Sequence, residues 1–513
     1  MDVIVLMSAD RKGNIVGGCR FEFSIDGGKT FSPAQADGMK WSFAVPSASQ
    51  LASIIIRGTP TAPHYWAADG AFKADSNGAL VPAGASPAFF FVEGTFVMEG
   101  PAGPERTWGT HTVTVILFHL SIFRDRTQET FEALKANADK WVKNADGKWL
   151  PPGEPTSWST PTLPKGEFSV VTPEVLGPTT TLVTPPPGRE PHPPLVVPLL
   201  SFTRGRYSPQ TTEFILERKQ EGSLPKAFLV SWPRSLRRTV DAGPTPFLVY
   251  FTHLLNQNFE EHNPDDSFQD YPFGWNYLYV SLYAYLNYRD DPLKTYSRGL
   301  LYQIAASQKR LVLVIPVGDA RLKNSREVGD CINAALLEEL LEEIQSFCFR
   351  AAGLFRSPVQ HVGRVALASF SSGNEQLAHF LAREANKAHP FYRNTLREVY
   401  CFDMPRHRVA ALAAHAANWA SAGERHEEKV IRIYGTSAPA FVPVHQALLG
   451  KPPPRDHAYV ASTTHRTVAV LPEHSWLPVL PDPYSNWEDL AQQVHQLFCG
   501  AMLTDALRRS PGF

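Results

Sequence analysis

Apolar residues along the first 123 positions come in short runs broken by polar ones. The runs "VIVLM", "CRFEFSI", "KWSFAV", "ASIIIRG", "AFFFVEGTFVM" and "HTVTVILFHLSIF" are rich in β-branched and aromatic residues, and clusters of Gly, Pro, Asn and Asp separate them. A series of such runs predicts short strands arranged as a sandwich or barrel. The period then changes. In "RTQETFEALKANADKWVKNADGKW" (126–149), Phe131, Leu134, Ala138 and Trp141 fall on one helical face, which predicts an amphipathic helix. Between positions 151 and 198 there are 14 prolines, including "PPPGREPHPP". Proline lacks a backbone donor and restricts its neighbour, so an irregular or polyproline-type linker is expected over 151–199. The domain boundary is placed there.

From about residue 200, strand-like runs alternate with helix-length segments. "KAFLVSWP", "TPFLVYFTH" and "RLVLVIPVGD" precede a helical stretch, "NAALLEELLEEIQSFCFRAAG". Strand "RVALAS" and a helix follow, then "EVYCFDMP", the helix "HRVAALAAHAANWASAG", strands "KVIRIYGTS" and "RTVAVLP", and a closing helix near 487–502. The central strands are nearly continuous apolar runs, the mark of parallel strands covered on both faces. Right-handed crossovers then make this an α/β fold, a doubly wound and mostly parallel sheet. The expected organisation is a β-rich domain over 1–150, a linker over 151–199, and an α/β domain over 200–513. An aromatic-rich insertion occupies 257–300.

Composition narrows the class. A chain of 513 residues exceeds the roughly 100–200 typical of one domain. Hydrophobic residues are 43% and charged ones 19%, enough to bury a large core. The net charge of −1 gives no nucleic-acid footprint, and "PRSLRRTV" reads as a solvated loop. Five scattered cysteines without a CxxC pair exclude a disulfide framework or zinc site, and no metal or cofactor is implied. The start, "MDVIVLMSADRKG", lacks the positive charge and long apolar core of an export signal, and no apolar run is long enough to span a membrane. A cytoplasmic location is expected, with signal-less secretion left open.

In the β region, "SIDGGKTF" (24–31) fits S-x-D-x-G-x-T-F and resembles an Asp-box, the hairpin turn repeated in sialidases and other propellers. Asp26 is expected to bond its own turn and Gly28 to supply positive φ. One copy in about 120 residues is too little for a propeller.

The chemistry concentrates at "SFSSG" (369–373), which lies between the apolar strand and the helix that follows. It resembles the nucleophile elbow of α/β-hydrolases, G-x-S-x-G, with Ser369 in place of the first glycine. The elbow needs small neighbours because its serine sits in a strained strand-to-helix turn. The resemblance covers about 200–513 and implies that Ser371 is a nucleophile. The N–H of Ser372 then supplies one oxyanion donor at a helix start. It also implies an acid and a histidine at later strand ends. His474 in "VLPEHSW" follows the final strand and is the expected base, in preference to His445, His457 and His465. The usual acid position after "VIRIYGTSAPAF" holds no carboxylate, so Asp403 in "YCFDMP" is the expected acid and Asp456 the alternative. Glu473 is too close to His474 in sequence to orient it. The second oxyanion donor is expected from the turn after "FLVYFTH", at Leu254 or Leu255, with His253 matching the family's histidine and leucine standing where its glycine is usual. His253, Phe370, Tyr271 and Trp275 are the candidate substrate contacts, and the Tyr-rich stretch 268–292 reads equally as an apolar entrance or a packed cap.

These residues imply a serine hydrolase of the esterase or lipase kind, acting on a small-molecule or polymeric ester through an acyl-enzyme. A serine peptidase, an acyltransferase and an inactive scaffold of the same fold remain open alternatives, as does homo-oligomerisation.

Overall fold

The structure, a computed structural model, describes residues 2–9, 19–27, 29–45, 55–60, 65–66, 70–74, 80–82, 90–91, 110–116, 118–119, 123–130, 142–143, 149–150, 168–183, 195–219, 223–238, 244–252, 285–286, 299–317, 329–351, 362–404, 407–436, 438–453, 459–473, 475–476 and 487–513. The chain forms two compact units. One comprises Met1–Phe123, Arg237–Gly243 and Glu342–His361; the other comprises Arg124–Leu236, Pro244–Leu341 and Val362–Phe513.

The described part of residues 1–123 is β, as its short β-branched and aromatic runs predict. Two five-stranded sheets form there. Asp2–Ala9 is central in the first, parallel to Thr110–Ile116 and antiparallel to Lys40–Val45. Cys19–Ser24 pairs antiparallel with Ile55–Pro60 in the second. The sheets face each other through Phe23 stacked on Phe43 at 4.0 Å and Phe21 set edge-on to Trp41 at 6.4 Å. Inward residues Leu6, Phe21, Phe43 and Ile56 are buried, as a sandwich requires.

The Asp-box turn closes as its residues dictate. Asp26 Oδ1 accepts from the N–H of Lys29 (2.9 Å) and of Thr30 (3.0 Å), and Oδ2 accepts from Thr30 Oγ1 (2.7 Å). Ser24 Oγ donates to the same carboxylate at 2.6 Å. Those donors, the Ser24 hydroxyl foremost, hold the carboxyl well below the usual carboxylate range. The positive φ in this turn is at Gly27 (75°); Gly28, expected to supply it, lies outside the described residues.

The helix expected over 126–149 is present at 127–130, and Phe131, Leu134, Ala138 and Trp141 lie outside the described residues. In the proline-rich tract the strands Phe168–Val183 and Leu195–Tyr207 pair as an antiparallel ribbon. Among the described residues the ribbon has two strands, so each has one edge without a partner strand, where a proline is tolerated. Pro173 sits opposite Phe202 and Pro198 opposite Thr180, and a residue whose N–H side faces outward loses nothing by lacking the donor. Pro178 falls in the register break between Val175 and Thr180.

The second unit is built on a ten-stranded sheet. Its strands are β1 (Phe123–Asp125), β2 (Thr211–Arg218), β3 (Ala227–Pro233), β4 (Thr245–Phe251), β5 (Val312–Val317), β6 (Val362–Phe370), β7 (Leu396–Phe402), β8 (Val430–Gly435), β9 (Tyr459–Ser462) and β10 (Arg466–Val470). The spatial order is β1-β2-β3-β5-β4-β6-β7-β8-β10-β9. Six neighbours, β5-β4-β6-β7-β8-β10, run parallel, and antiparallel pairs β2–β3, β3–β5 and β9–β10 complete the two sides. Every residue of β3, β5, β7 and β8 is buried, which is what the unbroken apolar runs require. Among the described residues, the helices of eight or more residues that accompany these strands in sequence are α1 (Leu300–Ser307), α2 (Ala334–Ala351, of which Glu342–Ala351 belongs to the first unit), α3 (Asn374–Ala382), α4 (Val409–Ala420), α5 (Ala438–Leu449) and α6 (Trp487–Arg508). This is the α/β architecture that the alternation of runs predicts, with a mostly parallel sheet that carries antiparallel strands on both sides.

One crossing point fixes where β6 turns into α3. A Cβ built on Gly373 would stand 2.4 Å from the Thr252 carbonyl oxygen and 2.5 Å from that of Phe251, so the turn after β6 lies directly on the end of β4. Backbone oxygens have nowhere to retreat. Gly373→Ala should therefore destabilise the protein by about 1–3 kcal/mol, as overpacking typically does. A chemical-denaturation midpoint equal to that of the unmodified protein would refute this close approach.

Candidate active site

Strand β6 delivers Ser371 to a left-handed turn. Its φ is 54°, and Phe370 before it is still extended (φ −132°, ψ 139°). A 3-10 turn, Ser371–Gly373, leads straight into α3. Among the described non-glycine residues, positive φ occurs at Gln308, Ser371 and Asp403. Two of these three end neighbouring parallel strands, since Asp403 (φ 44°) follows β7. Such conformations cost about 1–3 kcal/mol each and persist where the surroundings enforce them. The chain bends there because each side chain is turned out over the carboxyl ends of the strands instead of continuing along them.

The two turns meet a third residue. His495 Nε2 lies 2.9 Å from Ser371 Oγ, and His495 Nδ1 lies 2.6 Å from Asp403 Oδ2. A carboxylate only accepts, so Nδ1 carries the proton and donates to it. Nε2 is then the acceptor for the Ser371 hydroxyl. The second carboxylate oxygen, Asp403 Oδ1, accepts from Thr436 Oγ1 at 3.3 Å, and the Asp403 N–H donates to the Tyr434 carbonyl at 2.9 Å. Asp403 is thus gripped by the end of β8. Asp403 is nearly buried, and the His495 side chain retains 25% exposure, enough for a molecule in solvent to reach the imidazole.

The expected base was His474, at the end of β10. The imidazole bonded to Ser371 is that of His495, inside α6, and His474 lies outside the described residues. Among the competing histidines, His445 is buried on α5 with Nδ1 donating to the Lys451 carbonyl at 2.6 Å, a packing role. In the sequence His495 looks like a polar position beside the apolar stripe Leu490, Val494, Leu497, Phe498 and Met502. Nothing local distinguishes it from a helix residue that faces solvent.

Helix α6 is anchored so that this position is reproducible. Cys499, one turn after His495, has its Sγ 2.7 Å from the Tyr250 hydroxyl of β4. Gln303 of α1 donates Nε2 to the Cys499 carbonyl at 2.9 Å, and Tyr434 of β8 donates its hydroxyl to Asp505 at 2.8 Å. Burial pushes the Tyr434 hydroxyl well above its ordinary pKa, so it stays a donor.

Phe370 was expected to contact substrate. It is instead fully buried, with its ring stacked on the His495 imidazole at 4.7 Å and 26°. The alternation of β6 directs residue 370 into the core on the side of α6, so its partner is the imidazole. Ser372 is half-buried in the 3-10 turn, directly after Ser371. His253, Leu254, Leu255, Tyr271, Trp275 and Asp456 lie outside the described residues. Among the described residues, no group of three His, Cys, Asp or Glu side chains is placed to hold a metal ion, and no helix is long and apolar enough to cross a membrane.

No family model matches the chain, and no curated protein does. Solved structures do. A ferulic acid esterase is 11% identical, with 54% of this chain covering 92% of that one at a TM-score of 0.24. The siderophore hydrolase EstB from Aspergillus nidulans is 13% identical over 47% of this chain and 72% of that one, with a TM-score of 0.20. The dipeptidyl peptidase 4 of Porphyromonas gingivalis is 10% identical over 87% of this chain and 69% of that one, with a TM-score of 0.24. Likeness at this level carries no weight for activity, and the functional reading rests on the geometry around Ser371.

Proposed function

We propose that this chain is a serine hydrolase of the α/β-hydrolase kind, cleaving carboxylic esters through an acyl-enzyme. The observation that carries the reading is the continuous chain Ser371 Oγ–His495–Asp403, at 2.9 and 2.6 Å, with the serine held in a left-handed turn between a parallel strand and a helix. Each link has the polarity that nucleophilic catalysis needs.

The steps follow from that polarity. His495 Nε2 takes the Ser371 hydroxyl proton as Oγ bonds to the ester carbonyl carbon, and the carbonyl π electrons move onto oxygen. The imidazolium that forms is stabilised by Asp403, which also fixes its tautomer. Collapse of the tetrahedral species breaks the bond to the alkoxy group, which leaves with the proton from Nε2. Water, deprotonated by the same nitrogen, then attacks the acyl carbon and restores Ser371 with release of the acid. The Ser372 N–H, next after the nucleophile, serves as one oxyanion donor. The second comes from the turn after β4, at Leu254 or Leu255. In support, Gly373 lies against the carbonyls of Phe251 and Thr252, which sets the end of β4 beside the nucleophile turn. His253, Tyr271 and Trp275 remain the proposed substrate contacts.

A fluorophosphonate probe should label Ser371, and Ser371→Ala should abolish the label. Peptide mapping by mass spectrometry decides, and an unlabelled folded protein would remove the hydrolase reading. With p-nitrophenyl esters, Asp403→Asn and His495→Ala should each lower kcat by about 10⁴, the scale seen when a triad loses its acid or base. His474→Ala should change kcat less than about threefold, since it would remove no group from the reacting chain. Loss of turnover in His474→Ala with retention in His495→Ala would reassign the base. Iodoacetamide should leave turnover unchanged. Cys331, Cys348, Cys401 and Cys499 are buried and form no disulfide, and burial pushes the Cys401 thiol, two residues from Asp403, far up.

A further inference from the structure

The turns carrying Ser371 and Asp403 are both left-handed, and both are bonded by one side chain. Asn374, the first residue of α3, donates Nδ2 to the Ser371 carbonyl at 2.8 Å and to the Phe402 carbonyl at 3.0 Å. Those two carbonyls belong to the peptide that follows the nucleophile and the peptide that precedes the acid. Asn374 Oδ1 accepts from Ser369 Oγ at 2.5 Å, and that hydroxyl also lies 3.4 Å from the Tyr400 carbonyl on β7. Both side chains belong to residues with no exposed surface.

The amide orientation is forced by chemistry. Two carbonyl oxygens can be satisfied only by the N–H groups, which leaves Oδ1 to face the hydroxyl. Each polar atom of this buried pair is therefore used once or more, and removing one strands its partner. The arrangement also accounts for the serine at 369. The common elbow has glycine there, which would leave Oδ1 of Asn374 without a donor.

We propose that Ser369 and Asn374 form a buried clamp that ties the nucleophile turn to the acid turn and so sets the alignment of Ser371, His495 and Asp403. Both are positioning residues, since neither touches a reacting atom. The inference rests on the hydrolase reading for its catalytic consequence and on the hydrogen bonds alone for its geometry. A purely structural pair would lower stability and leave the folded fraction with normal chemistry.

The test uses the full chain and separates binding from reaction. Inactivation by a fluorophosphonate is followed over a range of probe concentrations to give a saturating rate and a half-saturation point. Asn374→Ala should lower the saturating rate about 30- to 100-fold, the scale of a small misplacement of reacting groups. Ser369→Gly should lower it about tenfold, with half-saturation within about threefold of the unmodified protein in both. The double variant should be at most about twofold slower than Asn374→Ala alone, because the two residues act through one unit. A second readout needs no turnover: the downfield proton resonance of the His495 Nδ1–H bonded to Asp403 should be present in the unmodified protein and lost or shifted in both variants.

Saturating rates and a resonance equal to the unmodified protein's, in folded variants, would overturn the clamp, as would single effects that multiply in the double variant. If the unmodified protein shows the resonance and both variants lose it, but no labelling occurs at Ser371, the clamp stands and the hydrolase reading falls. If Asn374→Ala fails to fold, Ser369→Gly decides: an unchanged rate and resonance overturn the clamp, and a slowed rate at unchanged half-saturation with an altered resonance upholds it.

Discussion

Helix α6 lies along the sheet on an apolar face formed by Leu490, Val494, Leu497 and Phe498, and the imidazole that meets Ser371 rides on it. Every feature of the site depends on that packing. His495 is 124 positions from the serine and 92 from the aspartate, so no local preference of the chain can bring them together. Burial of the helix face supplies the attraction, and a few buried bonds set the register. Tyr250 to Cys499, Gln303 to the Cys499 carbonyl, and Tyr434 to Asp505 allow one rotation and one height of α6 on the strands. A residue on a helix has its backbone held by the helix ladder, so its side chain is left with few ways to point. The stacked Phe370 ring and the Asp403 carboxylate remove most of those that remain.

The strain in the site is met by the same rigidity. Ser371 and Asp403 each adopt a backbone conformation that L-residues avoid, and each does so where a parallel strand ends in a run of buried residues. A strand with both faces covered cannot relax at its end without disturbing its neighbours. The close approach of Gly373 to the Phe251 and Thr252 carbonyls blocks one direction of relaxation. Asn374 blocks another, by bonding the Ser371 and Phe402 carbonyls. Polar groups in a dry layer are expensive unless paired, and here the pairing itself ties the Ser371 turn to the Asp403 turn.

Asp403 is held from two neighbouring elements. Its oxygens are reached by His495 from α6 and by Thr436 from the end of β8. Because β7 and β8 are adjacent and parallel, a carboxylate on either strand end can face the same point. Thr436 then acts as a second donor to the carboxylate that its neighbour supplies.

Much of this could be read without coordinates, for reasons that are local. Continuous apolar runs identified the buried parallel strands, short β-branched and aromatic runs between turn residues identified the N-terminal sheets, and a small-x-Ser-x-Gly turn between strand and helix singled out Ser371. An aspartate at the tip of "YCFDMP" located Asp403, and both lie within the hydrogen-bonded chain. Each of these signals is carried by residues a few positions apart, where covalent geometry and side-chain period determine the outcome. The ribbon through the prolines depended on pairing between strands, which shows only once the partner is in place. The role of His495, the stack of Phe370 upon it and the reach of Asn374 to two carbonyls depended on how α6 and α3 settle on the sheet. That is set by the summed packing of distant apolar surfaces, and a histidine in the middle of a helix carries no local mark of what it will face.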